Sequence, residues 1–167
     1  MASNLKNLSE YSEIGIEINT AEKKHKIGIA VSEWNQQITA NLAEAAINTL
    51  KKYGYNKKNI ILKSVPGSFE LPLAAKYMID YLKVDAVICL GCVIQGETRH
   101  FDFVCSGVTQ GIMDLTLLTG VPISFGLLTT NNLQQAIDRS GGKLGNKGDE
   151  AAIAVLKMLN LKETFTK

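Results

Sequence analysis

The sequence lacks the features that mark membrane, secreted and nucleic-acid-binding proteins. Its 167 residues contain no apolar span of 18 residues and no basic stretch leading into an apolar one at the start. The formal net charge is only +2, and the lysines are scattered, whereas a nucleic-acid-binding protein needs a clustered basic face. We therefore expect a cytoplasmic protein that binds neither a membrane nor nucleic acid.

Cysteine is scarce as well, with three residues that lie in or near apolar runs. An odd number of buried cysteines is typical of reduced structural thiols in the cytosol. Cys89 and Cys92 form a CxxC spacing, but a redox dithiol places its first cysteine at the start of a helix, and Cys89 lies inside a predicted strand. A zinc site would need two further clustered ligands, so we expect no metal.

Three common nucleotide and hydrolase motifs are also missing. The segment from Gly91 to Thr98 matches the P-loop spacing, but Glu97 stands where the phosphate-binding lysine is required. No GxGxxG follows a predicted strand, and no Gly-x-Ser-x-Gly elbow is present. These absences argue against an NTPase, a dinucleotide-binding protein and a hydrolase of the nucleophile-elbow type.

What the chain does contain is an alternation of apolar strand patterns and helical patterns. Strands are predicted at 26–31, 59–65, 86–90 and 122–128, and helices at 38–53, 72–82, 102–118, 133–139 and 149–161. Thr129 to Asn131 is predicted to cap the fourth helix, and residues 141–148 are predicted to form a glycine-rich loop. Right-handed crossovers then give a four-stranded parallel sheet covered on both faces, a three-layer α/β/α sandwich.

Residues 1–24 are predicted to form an arm ahead of a single domain at 25–167. Ile14, Ile16 and Ile18 alternate with polar residues, as in a short strand with one apolar face. Such a strand needs a partner, and we expect it to join a sheet edge of a neighbouring subunit.

Chemically useful side chains gather where the predicted strands end. Gly96-Glu97-Thr98 and His100 follow the third strand just before a helix, whose first N–H groups favour an anion. Trp34 follows the first strand, either as a cap on the core or as a stacking platform for a planar ligand. Glu70 follows the second strand, either complementing a helix dipole or binding a ligand.

Four separated stretches resemble the lumazine synthase family in sequence and in order. They are Pro66–Pro72, Gly91–Asp102 with its Gly-x-Thr-x-His-Phe-Asp core, Phe125–Thr129 and Arg139–Gly148. The resemblance covers the chain from about Ile14 onward. It implies a flavodoxin-like fold and a transferase that condenses 5-amino-6-(D-ribitylamino)uracil with 3,4-dihydroxy-2-butanone 4-phosphate, the penultimate step of riboflavin biosynthesis. It implies no metal and no organic cofactor.

The resemblance also assigns roles by position. It implies that Trp34 stacks on the pyrimidine, that Ser68, Phe69 and Glu70 hold the ribityl chain, and that Cys92, Val93 and Ile94 bind the pyrimidine edge. It further implies that Glu97, Thr98 and Arg139 bind the phosphate, that His100 transfers protons, that Phe125 closes the pocket from the adjacent subunit, and that Lys147 belongs to the substrate-binding set. Glu97 replaces a frequent small residue, so its backbone N–H would serve the phosphate and its carboxylate would point away.

Members of the family assemble as pentamers, and some close twelve pentamers into an icosahedral capsid of sixty subunits. The spacing from Arg139 to Lys147 carries no insertion, which resembles the shell-forming members. The implied partners are small-molecule substrates, further copies of the chain and riboflavin synthase. Three alternatives remain: a non-catalytic flavin or lumazine binder, a shell protein, and, on fold alone, a flavodoxin-like electron carrier. The presence of His100 and Arg139 favours the enzyme.

Overall fold

Four parallel strands form the central sheet in the computed structural model, which describes residues 7–13, 15 and 25–165. The strands are β1 (Ile27–Ser32), β2 (Ile60–Val65), β3 (Ala86–Ile94) and β4 (Ile123–Thr130), in the order β2-β1-β3-β4. All three pairings are parallel, which confirms the predicted sheet. The strand order reverses between β1 and β3, and ligands bind beside such a point in open α/β sheets.

Helices cover both faces of this sheet, which confirms the three-layer sandwich. The helices are α1 (Leu8–Ser12), α2 (Gln36–Lys52), α3 (Leu71–Leu82), α4 (His100–Thr119), α5 (Leu133–Asp138) and α6 (Lys147–Phe165). The core shared with α2 and α6 lies on one face, and the core shared with α3 and α4 lies on the other. None of the helices in the described part of the chain has the length and apolar character needed to cross a bilayer.

Strand β3 is buried on both sides, because its side chains serve the two cores alternately. Ile88 and Leu90 belong to the core under α2 and α6, whereas Val87 and Cys89 belong to the core under α3 and α4. This explains why its sequence is a continuous apolar run instead of an alternating one.

Strand β3 extends four residues beyond its predicted end at Leu90. The apolar run breaks at Gly91, but Gly91 to Ile94 continue to pair with β4, and the N–H of Gln95 donates to the carbonyl of Thr130 at 2.8 Å. A Cβ at residue 91 would lie 2.6 Å from Oγ of Ser68, so the glycine lets the turn after β2 approach the strand. The glycine is therefore a packing requirement and not a strand terminator.

Helix α4 begins at His100, two residues before the predicted start. The carbonyl of Arg99 accepts hydrogen bonds from the N–H groups of Asp102 and Phe103, at 3.0 and 3.3 Å. Asp102 therefore lies in the first turn, where a carboxylate suits the helix dipole, and is not the capping residue.

The predicted cap of α5 and the predicted glycine-rich loop are both wrong. Thr129 and Thr130 lie in β4, and Asn132 caps α5 by accepting the N–H of Gln135 at 3.0 Å. The glycine-rich segment forms an antiparallel hairpin of β5 (Ser140–Gly142) and β6 (Gly145–Asn146). Oδ1 of Asn146 then accepts the N–H of Gly148 at 2.8 Å, which starts α6 at Lys147 instead of Asp149.

The N-terminal segment gives one new element and one open prediction. Helix α1 was not predicted, because its five residues are too few for a helical periodicity to be visible. The predicted strand of Ile14, Ile16 and Ile18 lies outside the described residues.

Candidate active site

A cavity of about 600 Å³ opens at the carboxyl edge of the sheet, where β1, β2 and β3 end. Three strand ends and the start of α4 supply its walls, so residues far apart in sequence meet there. The lining residues are Trp34, Asn35, Gly67, Ser68, Phe69, Glu70, Cys92, Val93, Ile94, His100, Phe103 and Val104. Eight of them are residues that the resemblance assigns to substrate binding or catalysis.

Trp34 follows β1 and is 71% exposed, so it does not cap the core of its own subunit. Its indole lies beside the turn after β2, since a Cβ at Gly67 would be 3.6 Å from its Cδ1. An exposed aromatic ring that lines a cavity can stack on a planar ligand. The structure thus favours the stacking interpretation of Trp34 over the core-capping one.

Asn35 is a cavity residue that the sequence analysis missed. It has a left-handed backbone, with φ of 57°, and it stands at the start of α2. Its Nδ2 donates to the carbonyl of Cys92 at 2.9 Å, which joins the loop after β1 to the end of β3. Asparagine tolerates this conformation better than most residues, and an Asn just before a helical pattern is a signal that could have identified it.

The turn after β2 places three predicted residues at the cavity. Ser68 is buried and its Oγ donates to Oγ of Ser32 at 3.4 Å, while Phe69 lies against α4, where a Cβ at Gly107 would be 3.2 Å from its ring. Glu70 precedes α3 but makes no capping hydrogen bond through its side chain. The carboxylate of Glu70 is therefore placed to accept a hydrogen bond from a ligand.

The end of β3 forms the floor of the cavity. Cys92 is buried, whereas Val93 and Ile94 are half-buried. Burial raises the pKa of the Cys92 thiol to about 11, so the thiol is neutral at physiological pH and is not a nucleophile. These residues therefore present an apolar surface and backbone polar groups.

The CxxC pair does not form a redox centre in this fold. Cys89 and Cys92 are both free thiols, and they belong to cores on opposite faces of the sheet. Burial also raises the pKa of Cys89, to about 12. Their side chains are inert packing groups, as the sequence analysis expected.

His100, the first residue of α4, lines the cavity from an exposed position. Phe103 and Val104 lie three and four residues further along the same helix, so they share its face. The sequence analysis missed both, although a helix starting at His100 would have placed them beside it. The same helix face thus presents an imidazole and an exposed aromatic ring to the cavity.

Glu97 and Thr98 are exposed in the connection between β3 and α4 and do not line the cavity. Oγ1 of Thr98 accepts the N–H of His100 at 3.4 Å. The two residues therefore lie next to the cavity residue His100 along the chain, at the start of the helix.

Phe125, Arg139 and Lys147 do not line this cavity. Phe125 lies in β4, where it pairs with Cys89 of β3, and its side chain packs against the core under α3 and α4. Arg139 and Lys147 flank the β5–β6 hairpin, and both contact Glu150, at 2.7 Å from Nη2 of Arg139 and 3.1 Å from Nζ of Lys147.

Glu150 is the centre of this small cationic cluster. Its side chain is only 13% exposed, and each of its carboxylate oxygens contacts one of the two cations. Nη1 of Arg139 also donates to the carbonyl of Leu144 at 2.8 Å. A guanidinium has five N–H groups and an ammonium has three, so both cations retain donors for an anion.

Comparison with known proteins identifies the family. The family model described as 6,7-dimethyl-8-ribityllumazine synthase matches residues 24–163. A protein of that name from Parabacteroides distasonis is 52% identical over 162 residues, which cover 96% of this chain and 98% of the relative. Namesakes from Phocaeicola vulgatus and Cytophaga hutchinsonii are 53% and 55% identical, over 100% and 95% of this chain and 98% of each relative.

These matches run through nearly the whole chain, and they include every strand and helix of the sandwich that builds the cavity. The resemblance first seen in four short motifs is thereby confirmed. The chain belongs to the enzyme family of the 6,7-dimethyl-8-ribityllumazine synthases.

Proposed function

We propose that this enzyme condenses 5-amino-6-(D-ribitylamino)uracil with 3,4-dihydroxy-2-butanone 4-phosphate to 6,7-dimethyl-8-ribityllumazine, phosphate and water, in the biosynthesis of riboflavin. The observation that carries the proposal is the cavity at the carboxyl edge of the sheet. In a chain of this family, the cavity combines an exposed indole, a carboxylate that makes no helix-capping hydrogen bond, the backbone groups of a strand end and an imidazole. The proposed location is the cytoplasm.

The pyrimidine and its ribityl chain occupy the cavity between the strand ends. Trp34 stacks on the ring, and the backbone groups of Cys92 to Ile94 bind its amide edge. The turn of Ser68 to Glu70 holds the ribityl hydroxyls, for which the Glu70 carboxylate is a strong acceptor. Two observations support this orientation. Trp34 is exposed, and the side chain of Glu70 makes no capping hydrogen bond to α3.

His100 transfers protons during the reaction. The 5-amino group attacks the ketone, and one water leaves to form an imine. Phosphate is then eliminated, which leaves an enol that tautomerises to a new ketone. The ribitylamino nitrogen attacks that ketone and a second water leaves, which closes the second ring. Each step moves protons between nitrogen, carbon and oxygen, and an imidazole does this near neutral pH. Much of the acceleration comes from holding the two substrates side by side, since the reaction joins two molecules.

The phosphate of the second substrate is bound by residues from two subunits. Glu97 and Thr98 contribute N–H groups at the start of α4, and Arg139 and Lys147 contribute positive charge. Because Arg139, Lys147 and Phe125 do not reach the cavity of their own subunit, we propose that they complete the cavity of a neighbour. We propose that the assembly is a pentamer, that pentamers close into a sixty-subunit shell, and that riboflavin synthase is a partner that uses the product.

The decisive experiment mixes the purified chain with both substrates and records the green fluorescence of the lumazine product. We expect product above the uncatalysed background. In Arg139→Ala we expect kcat/KM for the butanone phosphate to fall roughly 10- to 100-fold, because a charge-assisted phosphate contact is lost. Lys51→Ala, which removes a cation from the far end of α2, should retain wild-type kinetics. A folded, assembled protein that gives no product would instead indicate a ligand-binding or shell protein.

A further inference from the structure

We propose that Ser9, on the N-terminal helix α1, is a positioning residue for the β5–β6 hairpin and thereby for the two phosphate-binding cations. The inference rests on the proposed function, in which Arg139 and Lys147 bind the phosphate. Ser9 itself touches neither cation. It acts on the backbone that carries them.

The hydroxyl of Ser9 forms a reciprocal contact with the backbone of Asn146. Oγ accepts the N–H of Asn146 at 2.8 Å and donates to its carbonyl at 3.2 Å. Ser9 and Asn146 are 137 residues apart in sequence, so the contact joins the N-terminal segment to the far end of the domain. One side chain thus satisfies both backbone groups of a residue in β6.

The hairpin is shaped to receive α1. Gly145 has a φ of +85°, and a Cβ there would lie 2.7 Å from Oγ of Ser9 and 2.5 Å from Oδ1 of Asn7. A side chain at residue 145 would therefore both strain the backbone and push α1 away. The N–H of Leu8 also approaches the carbonyl of Leu144, at 3.4 Å.

The same backbone atoms hold the cations. The carbonyl of Leu144 accepts Nη1 of Arg139 at 2.8 Å as well as the N–H of Leu8. Asn146 is followed directly by Lys147, whose N–H donates to the carbonyl of Arg139 at 2.9 Å. A shift of β6 would therefore displace both cations, and Ser9 is the side chain that joins β6 to α1.

Helix α1 is itself anchored, so it can act as a brace. Oδ1 of Asn7 accepts the N–H of Ser9 at 3.0 Å, which fixes the start of the helix. At its other end, Nζ of Lys52 contacts both oxygens of Glu13, at 2.8 and 2.7 Å. This ion pair joins α1 to α2, so the contacts of α1 with the hairpin are the Ser9 hydroxyl and the longer backbone contact of Leu8 with Leu144.

Ser9→Ala removes both hydrogen bonds and leaves the N–H of Asn146 without its hydroxyl partner in a buried position. We expect KM for the butanone phosphate to rise roughly three- to tenfold, with KM for the pyrimidine unchanged, since the pyrimidine-binding walls lie elsewhere. Hydrogen exchange of the amides at 139–147 should accelerate, while exchange in β1 should not.

Two variants separate positioning from general stability. Ser12→Ala removes a hydroxyl from the same helix, but that hydroxyl donates only to Leu8 within α1, at 3.0 Å, so both readouts should match the wild type. Ser9→Thr keeps the hydroxyl and should restore KM and exchange. An active enzyme in which Ser9→Ala changes neither readout would overturn the inference alone. A wild-type chain without turnover would overturn the proposed function and the inference with it.

Discussion

His100 is the one histidine among the described residues that line the cavity, and it lies beside the ends of the strands. Its backbone N–H donates to Oγ1 of Thr98, and Phe103 lines the same cavity from one turn further along α4. The imidazole is exposed and makes no use of burial. Its proposed part is therefore to move protons for substrates that other residues have already positioned.

His100→Ala should reduce kcat by roughly 10- to 1000-fold without abolishing turnover, because proton transfer contributes less than the alignment of two substrates. KM for both substrates should stay within about a factor of three. Steady-state kinetics with each substrate varied in turn would measure kcat and both KM values.

His25→Ala is the matched control, since this histidine precedes β1 at the opposite edge of the sheet. Its Nε2 lies 3.5 Å from Oε1 of Glu163. It should leave the kinetics unchanged. A His100→Ala variant with no residual activity, or with a wild-type rate, would contradict the proposed balance between positioning and proton transfer.

At the scale of elements, the sequence predicted the sandwich because buried strands and amphipathic helices leave clear periodic patterns. Trp34, Ser68 and His100 could be assigned to one cavity in advance, since parallel strands end at the same edge. The end of β3 could not be predicted from the sequence. Gly91 is needed because Ser68 packs closely against it, and a contact between residues so far apart in sequence leaves no local pattern. The β5–β6 hairpin was also missed, since its glycines resemble those of a loop.

The buried thiols of strand β3 should also make the free energy of unfolding depend measurably on pH in the alkaline range. Burial raises the pKa of Cys89 to about 12 and that of Cys92 to about 11, from an ordinary value of 9.0. Above about pH 9 the unfolded chain therefore loses thiol protons that the folded chain retains. The contribution of each thiol to the free energy of unfolding is complete below pH 9. It declines as the pH rises towards the folded-state pKa, about 11 for Cys92 and about 12 for Cys89, by up to about 1.4 kcal/mol per pH unit for each thiol.

Urea unfolding at fixed subunit concentration, between about pH 8 and 10.5, would measure this slope. Cys89→Ala should unfold more easily at every pH because of the cavity it leaves, but its stability should fall less steeply with pH. Cys105→Ala is the control, because its thiol is only partly buried and its removal should change the slope less. Parallel slopes for the wild type and Cys89→Ala would contradict the assignment.

At the scale of the whole molecule, helices α3 and α4 leave several large apolar side chains exposed to solvent. Tyr77 and Tyr81 on α3, and Phe103, Leu117 and Leu118 on α4, are all more than half exposed. Large exposed apolar side chains on neighbouring helices are typical of an interface with another protein. It supports the proposed association of subunits, and association is what would carry Arg139 and Phe125 into a neighbouring cavity.

Mixing two impaired variants would test whether the active site is shared. In an assembly formed from equal amounts of His100→Ala and Arg139→Ala, some cavities would contain His100 from one subunit and receive Arg139 from its neighbour. Random mixing should regenerate roughly a quarter of the wild-type sites, because each of two independent choices succeeds half the time. The regained activity should match kcat/KM of the wild type per restored site, and it should appear only after the subunits are unfolded and reassembled together.

Each variant reassembled alone is the control, and light scattering or sedimentation would confirm that the mixed and single-variant assemblies have equal mass. If Arg139 served the cavity of its own subunit, every cavity of the mixture would lack one of the two residues, and its rate would be the average of the two variants. That average would refute the shared site while leaving the reaction itself intact. A rate well above the average requires that one subunit supplies the imidazole and another supplies the guanidinium.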